Sequence, residues 1–405
     1  MNIILVTVAY PPEIRSASHL MQELAEELQH RGEQVYVATC YPRYNLADSC
    51  FRDSFQECSL ENGVRVVRMR APRHHKVNFW VRGVNQLLLP FVFRARLKRY
   101  LPNRIDGVVV YSPPLPLWYV GKWIKKYYGA KFILNIQDIF PQNAIDLGAL
   151  RNPLLVRFFE RMEKKAYDHA DVVTVHSPSN REFLLKKDSL PASKLVTLHN
   201  WVDVGEYKES RNDAHYRRKL NIEDAFIVFF GGVLGPSQGL DLIIDAAKII
   251  QSERNIVILL VGDGMEKERL KERVQAYNLK NVIFHPFVSK EEYGKLLNEI
   301  DVGLVCLTSK NKTPVVPGKI LGYMAARIPV LAFLNRESDA HRIIHVAGCG
   351  YSYVPDDAEI AAQMILRMYQ EKDDLEELGL NGYQYAVRNF SKKVCVDQLE
   401  GLLRT

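Results

Sequence analysis

One lysine in this sequence sits where a helix gains nothing from it. Lys319 lies within Pro314 to Phe333, which reads PVVPGKILGYMAARIPVLAF. The loop Pro314 to Gly318 is kept extended by its prolines. Lys319 to Ala326 suits a short helix, with Ile320, Leu321, Met324 and Ala325 at helical spacing. A strand, Pro329 to Phe333, follows almost at once. A cation in the first turn of a helix opposes the helix dipole. A bound anion would remove the conflict, because the ammonium and the free backbone N–H groups would then share one ligand. A solvated lysine at a helix edge is the alternative.

A second cluster points to the same chemistry. Gly231-Gly232-Val233-Leu234-Gly235-Pro236-Ser237-Gln238-Gly239 follows a strongly apolar strand and precedes a helix. Glycines there let the backbone approach a ligand and free its N–H groups for phosphate. Plain turn chemistry is the competing account.

The elements that must hold these residues alternate regularly. The first half reads as strands at Asn2–Ala9, Gln34–Thr39, Arg65–Met69, Val108–Tyr111, Lys131–Ile136, Val172–Val175 and Leu195–Leu198. Helices fall at Ser18–Arg31, Leu115–Tyr128 and Pro153–His169. A polar stretch, Asp203 to Asp213, interrupts the pattern. It restarts with strands at Phe226–Phe230, Ile256–Val261, Val282–Phe284 and Val302–Cys306, separated by helices at Leu240–Gln251, Lys267–Tyr277 and Lys290–Glu299. Such alternation predicts α/β architecture with parallel sheets covered on both faces. The last segment, Gly382 to Leu403, is amphipathic.

The segment Pro317-Gly318-Lys319-Ile320-Leu321-Gly322-Tyr323-Met324-Ala325-Ala326 resembles the donor-binding segment of retaining GT-B glycosyltransferases of family 4. Those enzymes often read roughly PSK-[hydrophobic]-x-E-YMA-x-G-x-PV. The resemblance runs the whole length of the chain and is nearest to members that build bacterial surface polysaccharides of the O-antigen or capsule type. It implies two Rossmann-like domains facing across a cleft. The expected division is 1–200 for the acceptor side, 201–385 for the nucleotide-sugar side, and a helix in 386–405 that crosses back to the first domain.

The resemblance assigns Gly231, Gly232, Gly235, Gln238, Phe287, Val288, Pro317, Lys319, Glu337 and Asp339 to the donor. Two departures stand out. The family's G-R-x-x-x-x-K-G loop has Val233 at the arginine and Gln238 at the lysine, which shifts weight onto Lys319 and backbone amides. The family's paired glutamates fall at Pro314 and Gly322, neither acidic. The nearest replacements are Glu337 and Asp339, for which ribose or sugar contact competes with capping of a predicted helix. His285-Pro286-Phe287-Val288 matches the turn whose backbone recognises the base. Gly262-Asp263-Gly264 matches a GxG turn that tight strand-to-helix geometry also explains.

On the acceptor side, Tyr10 to Ser18 resembles the PPExGG loop, with Arg15-Ser16 replacing small residues. Glu13 and Arg15 are the side chains expected to shape the acceptor pocket. Asn135 to Gln142 resembles the D-x-W-P segment of polysaccharide-type members and offers Asp138 as a catalytic carboxylate; capping is its alternative. His199-Asn200-Trp201-Val202-Asp203 resembles an N-W-x-D hinge, from which Asn200 is expected to reach the cleft. In the front-face mechanism proposed for this fold the leaving diphosphate takes the acceptor proton. The protein then positions substrates and stabilises charge, with Lys319 and Asp138 as the catalytic pair. No cofactor and no metal are expected: no DxD motif falls in a suitable loop, and His341 and His345 lack a third ligand.

Composition constrains partners. The chain has 405 residues, 47% hydrophobic and 25% charged, which is ordinary for a globular protein of two domains. Residues 1–200 hold 28 Lys/Arg and 18 Asp/Glu, net +10; residues 201–405 hold 26 and 29, net −3, and together these give the +7 of the whole chain. A basic first half points to an anionic partner. Nucleic acid is the weakest candidate, since no such motif appears. Arg73 to Trp80 leads into Leu87-Leu88-Leu89 and then Arg94, Arg96, Lys98 and Arg99. That pattern suits an interfacial helix on anionic lipid, extended by Lys122, Trp123, Lys125 and Lys126; a core helix with a solvated basic face is the alternative. The apolar N-terminus reads as a buried strand, and the six scattered cysteines fit a reducing compartment.

The expected activity is sugar transfer (hexosyl or N-acetylhexosaminyl) from a nucleotide-sugar donor, with UDP preferred, to a polyprenyl-linked sugar acceptor. The expected location is the cytoplasmic face of the cell membrane, held peripherally. A non-catalytic scaffold of the same fold and a nucleotide-sugar epimerase are the competing readings.

Overall fold

The computed structural model describes residues 1–13, 15–43, 46, 55–72, 79–187, 190–205, 207, 214–310 and 312–405, apart from the side chains at 79, 80, 290 and 291. It divides into two compact units: Met1–Asn200 with Lys392–Thr405, and Trp201–Ser391.

The first unit contains β1 (Asn2–Val6), α1 (Ser16–His30), β2 (Gln34–Cys40), β3 (Cys58–Glu61), β4 (Val64–Met69), α2 (Phe79–Leu97), β5 (Gly107–Ser112), α3 (Trp118–Tyr128), β6 (Lys131–Ile136), α4 (Gln142–Asp146), α5 (Pro153–His169), β7 (Val172–Val175), α6 (Pro178–Lys187) and β8 (Leu195–Thr197). Its sheet runs β3-β4-β2-β1-β5-β6-β7-β8. Central strands β1 and β5 are buried almost throughout, as strands covered on both faces must be. Helix starts follow local chemistry: the Asn152 side chain accepts from the Leu154 and Leu155 N–H groups, with Pro153 at the first helical position.

One strand departs from the parallel expectation. β3 pairs antiparallel with β4, Glu61 opposite Val64. Asn62 and Gly63 link them with φ of 48° and 81°, the left-handed pair that a two-residue hairpin demands. The Asn-Gly dipeptide was the available signal.

The second unit contains α7 (His215–Leu220), β9 (Phe226–Gly231), α8 (Asp241–Ile249), β10 (Ile256–Val261), α9 (Lys267–Ala276), β11 (Val282–His285), α10 (Lys290–Leu297), β12 (Val302–Cys306), α11 (Gly318–Ala325), β13 (Val330–Phe333), α12 (Ala340–Ala347), β14 (Gly350–Tyr353), α13 (Ala358–Gln370) and α14 (Leu375–Asn389). Its sheet order is β11-β10-β9-β12-β13-β14, all parallel. In each sheet the order reverses direction once: between β1 and β5, and between β9 and β12. Crevices at such switch points, at the carboxyl ends of the strands, are where open α/β sheets bind ligands.

The C-terminal segment is not one helix. α14 ends at Asn389, and α15 (Lys392–Arg404) begins after Phe390 and Ser391. The Phe390 side chain is buried in the second unit, and its carbonyl accepts from the Val202 N–H at 2.9 Å. α15 belongs to the first unit, where Asp397 and Glu400 pair with Arg31 of α1 at 2.5 and 3.2 Å. The 386–405 helix expected from the sequence is therefore the end of α14, a break, and α15.

Candidate functional site

In the second unit, the β9–β12 switch point brings Lys319 to the glycine loop. α11 buries Ile320, Leu321, Tyr323 and Met324, which fixes its rotation and turns Lys319 toward the end of β9. Lys319 Nζ donates to Gln238 Oε1 at 2.9 Å and lies 4.6 Å from the centre of the Phe230 ring. A Cβ on Gly232 would sit 2.9 Å from Lys319 Cε. With φ of 138° at this position, only glycine is comfortable. Thus Lys319 is not the unpartnered cation that its place in the sequence implied. Its partners, however, are a neutral amide and an aromatic face, and among the described residues no carboxylate pairs with it. Burial pushes its ammonium down from 10.5 to about 8. Pro317, which precedes α11, offers no side-chain cap; the Ile320 N–H turns back to the Pro317 carbonyl at 3.1 Å, which leaves the Gly318 and Lys319 N–H groups without a partner among the described residues.

The neighbouring strand ends are laced together. The Gly232 N–H donates to the Val261 carbonyl at 2.9 Å, and the Gly262 N–H to the His285 carbonyl at 2.9 Å. A Cβ on Gly262 would come within 1.8 Å of the Gly232 oxygen. The GxG turn therefore supports the glycine loop from behind. Between Gly235 and Gly239 lies a single 3₁₀ turn, Pro236–Gln238, which aims Gln238 at Lys319.

Tyr323 was not singled out from the sequence, though it stands one turn after Lys319 on the same face. Its buried hydroxyl receives the Gly231 N–H at 3.4 Å and lies 3.3 Å from the carbonyls of Phe229 and Leu304. It ties the ends of β9 and β12 together below the loop.

Other donor-side residues fall around this centre with different exposure. Phe287 is exposed, whereas Val288 is half-buried against the core. Glu337 is exposed and accepts from Asn335 Nδ2 at 3.3 Å. Asp339 is only 4% exposed, with Arg342 Nε at 3.9 Å. Capping of α12 does not explain Asp339, because its side chain makes no cap bond; the Ser338 hydroxyl takes the Ala340 N–H instead. His341 is half-buried, with Nδ1 2.9 Å from Ser352 Oγ. Among the described residues no group of three or more His, Cys, Asp or Glu could hold a metal.

In the first unit, the β1–β5 switch point gathers a second set. Asp138 follows β6. The cap position of α4 belongs to Pro141, so Asp138 does not cap that helix. The residue is exposed, and among the described residues its carboxylate has no hydrogen-bond or ion-pair partner, while desolvation by the protein around it raises its pKa from the usual value. The buried Tyr111 hydroxyl feels both Asp138 and Arg15, which places the three in one neighbourhood. Gln137, missed from the sequence, exchanges two hydrogen bonds with Asn200 at 2.9 and 2.7 Å and donates to Asn135 Oδ1 at 2.7 Å. Asn200 is thereby held beside the Asp138 turn. Glu13 is a correction: it is buried, takes the Arg43 N–H at 2.8 Å, and lies 3.4 Å from Arg15 Nη1. It anchors the loop and leaves Arg15 as the more open of the two.

Comparison with known proteins identifies the family and the fold. Residues 17–201 match the glycosyl transferase 4-like domain, and residues 212–385 match the glycosyl transferases group 1 family. The chain is 26% identical over 339 residues to the probable glycosyltransferase WbjE of Pseudomonas aeruginosa, covering 82% of each chain. It is 25% identical over 347 residues to the putative colanic acid biosynthesis glycosyl transferase WcaI of Escherichia coli K12, covering 80% of this chain and 81% of that one. The crystal structure of Anabaena HepE in complex with UDP superposes with a TM-score of 0.73 at 18% identity, over the full length of both chains. With two family profiles tiling nearly its whole length and two Rossmann-like units of the GT-B fold, the chain belongs to the group 1 (GT4) glycosyltransferases.

Proposed function

We propose that this glycosyltransferase moves a hexosyl or N-acetylhexosaminyl group, with retention, from a UDP-sugar to a polyprenyl-linked sugar during bacterial surface polysaccharide synthesis, at the cytoplasmic face of the membrane. The observation that carries the donor half is the Lys319 ammonium, held against the glycine loop by a neutral amide. It is partly desolvated, lacks a counter-ion among the described residues, and stands beside the open N–H groups of α11. A diphosphate supplies the missing charge, and charge developing on the leaving phosphate strengthens the contact in the transition state. UDP is favoured because HepE, of the same fold, holds it. A role in polysaccharide assembly draws on the description of WcaI.

On the acceptor side, Asp138 and Arg15 are proposed to orient the acceptor sugar, with Gln137 and Asn200 fixing the floor. The leaving diphosphate itself accepts the acceptor proton, so Asp138 positions the reacting hydroxyl and need not be a strong base.

The test is a panel of UDP-, GDP- and dTDP-sugars incubated with protein and membrane lipid extract, with nucleoside diphosphate release as the readout. Release from a UDP-sugar that depends on extract supports the reading. Release from another nucleotide sugar alone corrects the base. Binding of nucleotide with no release from any sugar, with or without extract, would favour the scaffold role.

A further inference from the structure

The first unit carries an apolar surface that donor chemistry does not use. α2 is apolar on two sides. Its inner side, Leu89, Phe93 and Leu97, is fully buried. Its outer side presents Val81, Val84, Leu88 and Phe91, at 48%, 57%, 45% and 72% exposure. Their spacing of three and four residues makes one continuous stripe along the helix. A soluble helix normally turns a polar face outward, so a stripe of this length needs a covering.

The stripe runs into a groove of about 620 Å³. Its apolar walls include Leu87 and Phe91 of α2, Tyr119, Trp123 and Tyr127 of α3, and Phe158 of α5. Arg94, Lys122 and Lys126 stand at the same groove, and no acidic residue lines it. Among the described residues none of these three cations pairs with a carboxylate. Their neighbours Arg96 and Lys125, by contrast, are paired with Glu57 and Asp171 at 3.4 and 2.7 Å. Those two, counted in the basic patch from sequence, are paired, whereas Arg94, Lys122 and Lys126 stand beside the apolar groove with no carboxylate partner among the described residues.

We infer that the α2 stripe and the α2–α3–α5 groove dock the protein on an anionic phospholipid leaflet, with the stripe and groove aromatics among the acyl chains and Arg94, Lys122 and Lys126 on the headgroup phosphates. Charge decides between occupants. A second copy meeting this face about a twofold axis would press the same three cations against each other, whereas anionic lipid complements them. No described helix is long and apolar enough to cross a membrane, so α2 lies on the leaflet. The inference rests on the lipid-linked acceptor reading only in giving that acceptor a meeting place; docking is tested without acceptor or donor.

Sedimentation with phosphatidylcholine vesicles, with and without phosphatidylglycerol, tests it. The full chain should pellet with phosphatidylglycerol vesicles at low salt, not with phosphatidylcholine alone, and be released as salt rises. Arg94→Gln/Lys122→Gln/Lys126→Gln should weaken partitioning by about a hundredfold, taking roughly fivefold per cation. Leu88→Ser/Phe91→Ser should weaken it by at least about tenfold. Unchanged thermal unfolding and UDP binding in both variants would certify the fold. Absence of vesicle binding at low salt overturns the inference, as does full binding by the Leu88→Ser/Phe91→Ser variant. Lipid-free dimers that this variant abolishes would overturn it too, assigning the face to a second copy. Vesicle binding without extract-dependent sugar transfer would keep the docking and remove the lipid-linked acceptor.

Discussion

Lys319 and Gln238, 81 residues apart in sequence, meet at 2.9 Å. The amide oxygen stabilises the ammonium without cancelling its charge, so the lysine is held in place and remains available to an anion. A carboxylate at the same position would neutralise it.

Lys319→Ala should therefore weaken UDP binding by about 1.5–3 kcal/mol, the range of a charge-assisted hydrogen bond, and slow transfer at least as much. Calorimetric titration of the folded variant measures the first. Unaltered affinity would remove Lys319 from the donor site.

Gln238→Glu should be more harmful to UDP binding than Gln238→Ala. The new carboxylate would pair with Lys319 and compete with diphosphate, while alanine only frees the ammonium. The order of the two dissociation constants is the check; the reverse order would mean that the amide contacts the ligand more than it holds the lysine.

The depressed Lys319 value sets a pH dependence. Between about 8 and 10.5 the folded ligand-free protein holds this proton less than the unfolded chain does. Stability from this residue therefore rises with pH across that window, and the cost of the buried charge is fully present below it. UDP binding runs the other way: it requires the ammonium, so affinity should fall as pH climbs past about 8, with proton uptake on binding near that pH. Calorimetry in buffers of different ionisation enthalpy detects the uptake, and Lys319→Met should abolish it.

Tyr323→Phe removes a hydroxyl and keeps the ring. The Gly231 N–H then loses a buried partner, at a cost of about 1–3 kcal/mol in stability. If Tyr323 positions the glycine loop, KM for the donor should rise more than kcat falls. A stability loss with unchanged kinetic constants would confine Tyr323 to the core.

Asp138→Asn keeps shape and removes a charge that no described residue balances. Transfer should fall by about 10²-fold or more while UDP affinity stays the same. Loss of stability in step with activity would instead mark a structural residue.

Local patterns in the sequence carry the strands. Lys131–Ile136, Ile256–Val261 and Val302–Cys306 are short, mostly apolar runs, and the folded strands occupy the same residues. The antiparallel β3 was not legible from alternation, because four residues of mixed polarity carry little periodic signal. The break at Phe390 was also hidden, since both flanking helices are amphipathic and only burial of that ring in the second unit separates them.

Residue types likewise single out Lys319, a cation that opposes the helix dipole, and the glycine loop between a strand and a helix, whereas Asp138 comes from the resemblance of Asn135 to Gln142 to a family segment. Their partners required the fold. Placing β9 beside β12 sets Gln238 and Phe230 against Lys319, and the end of β6 faces Asn200 through Gln137. Strand order is a long-range choice made by packing of whole apolar faces, and no local window of sequence contains it. The same holds for charge: Arg94 and Arg96 are alike in sequence, but only tertiary contact decides that Glu57 takes Arg96 and leaves Arg94 at the groove.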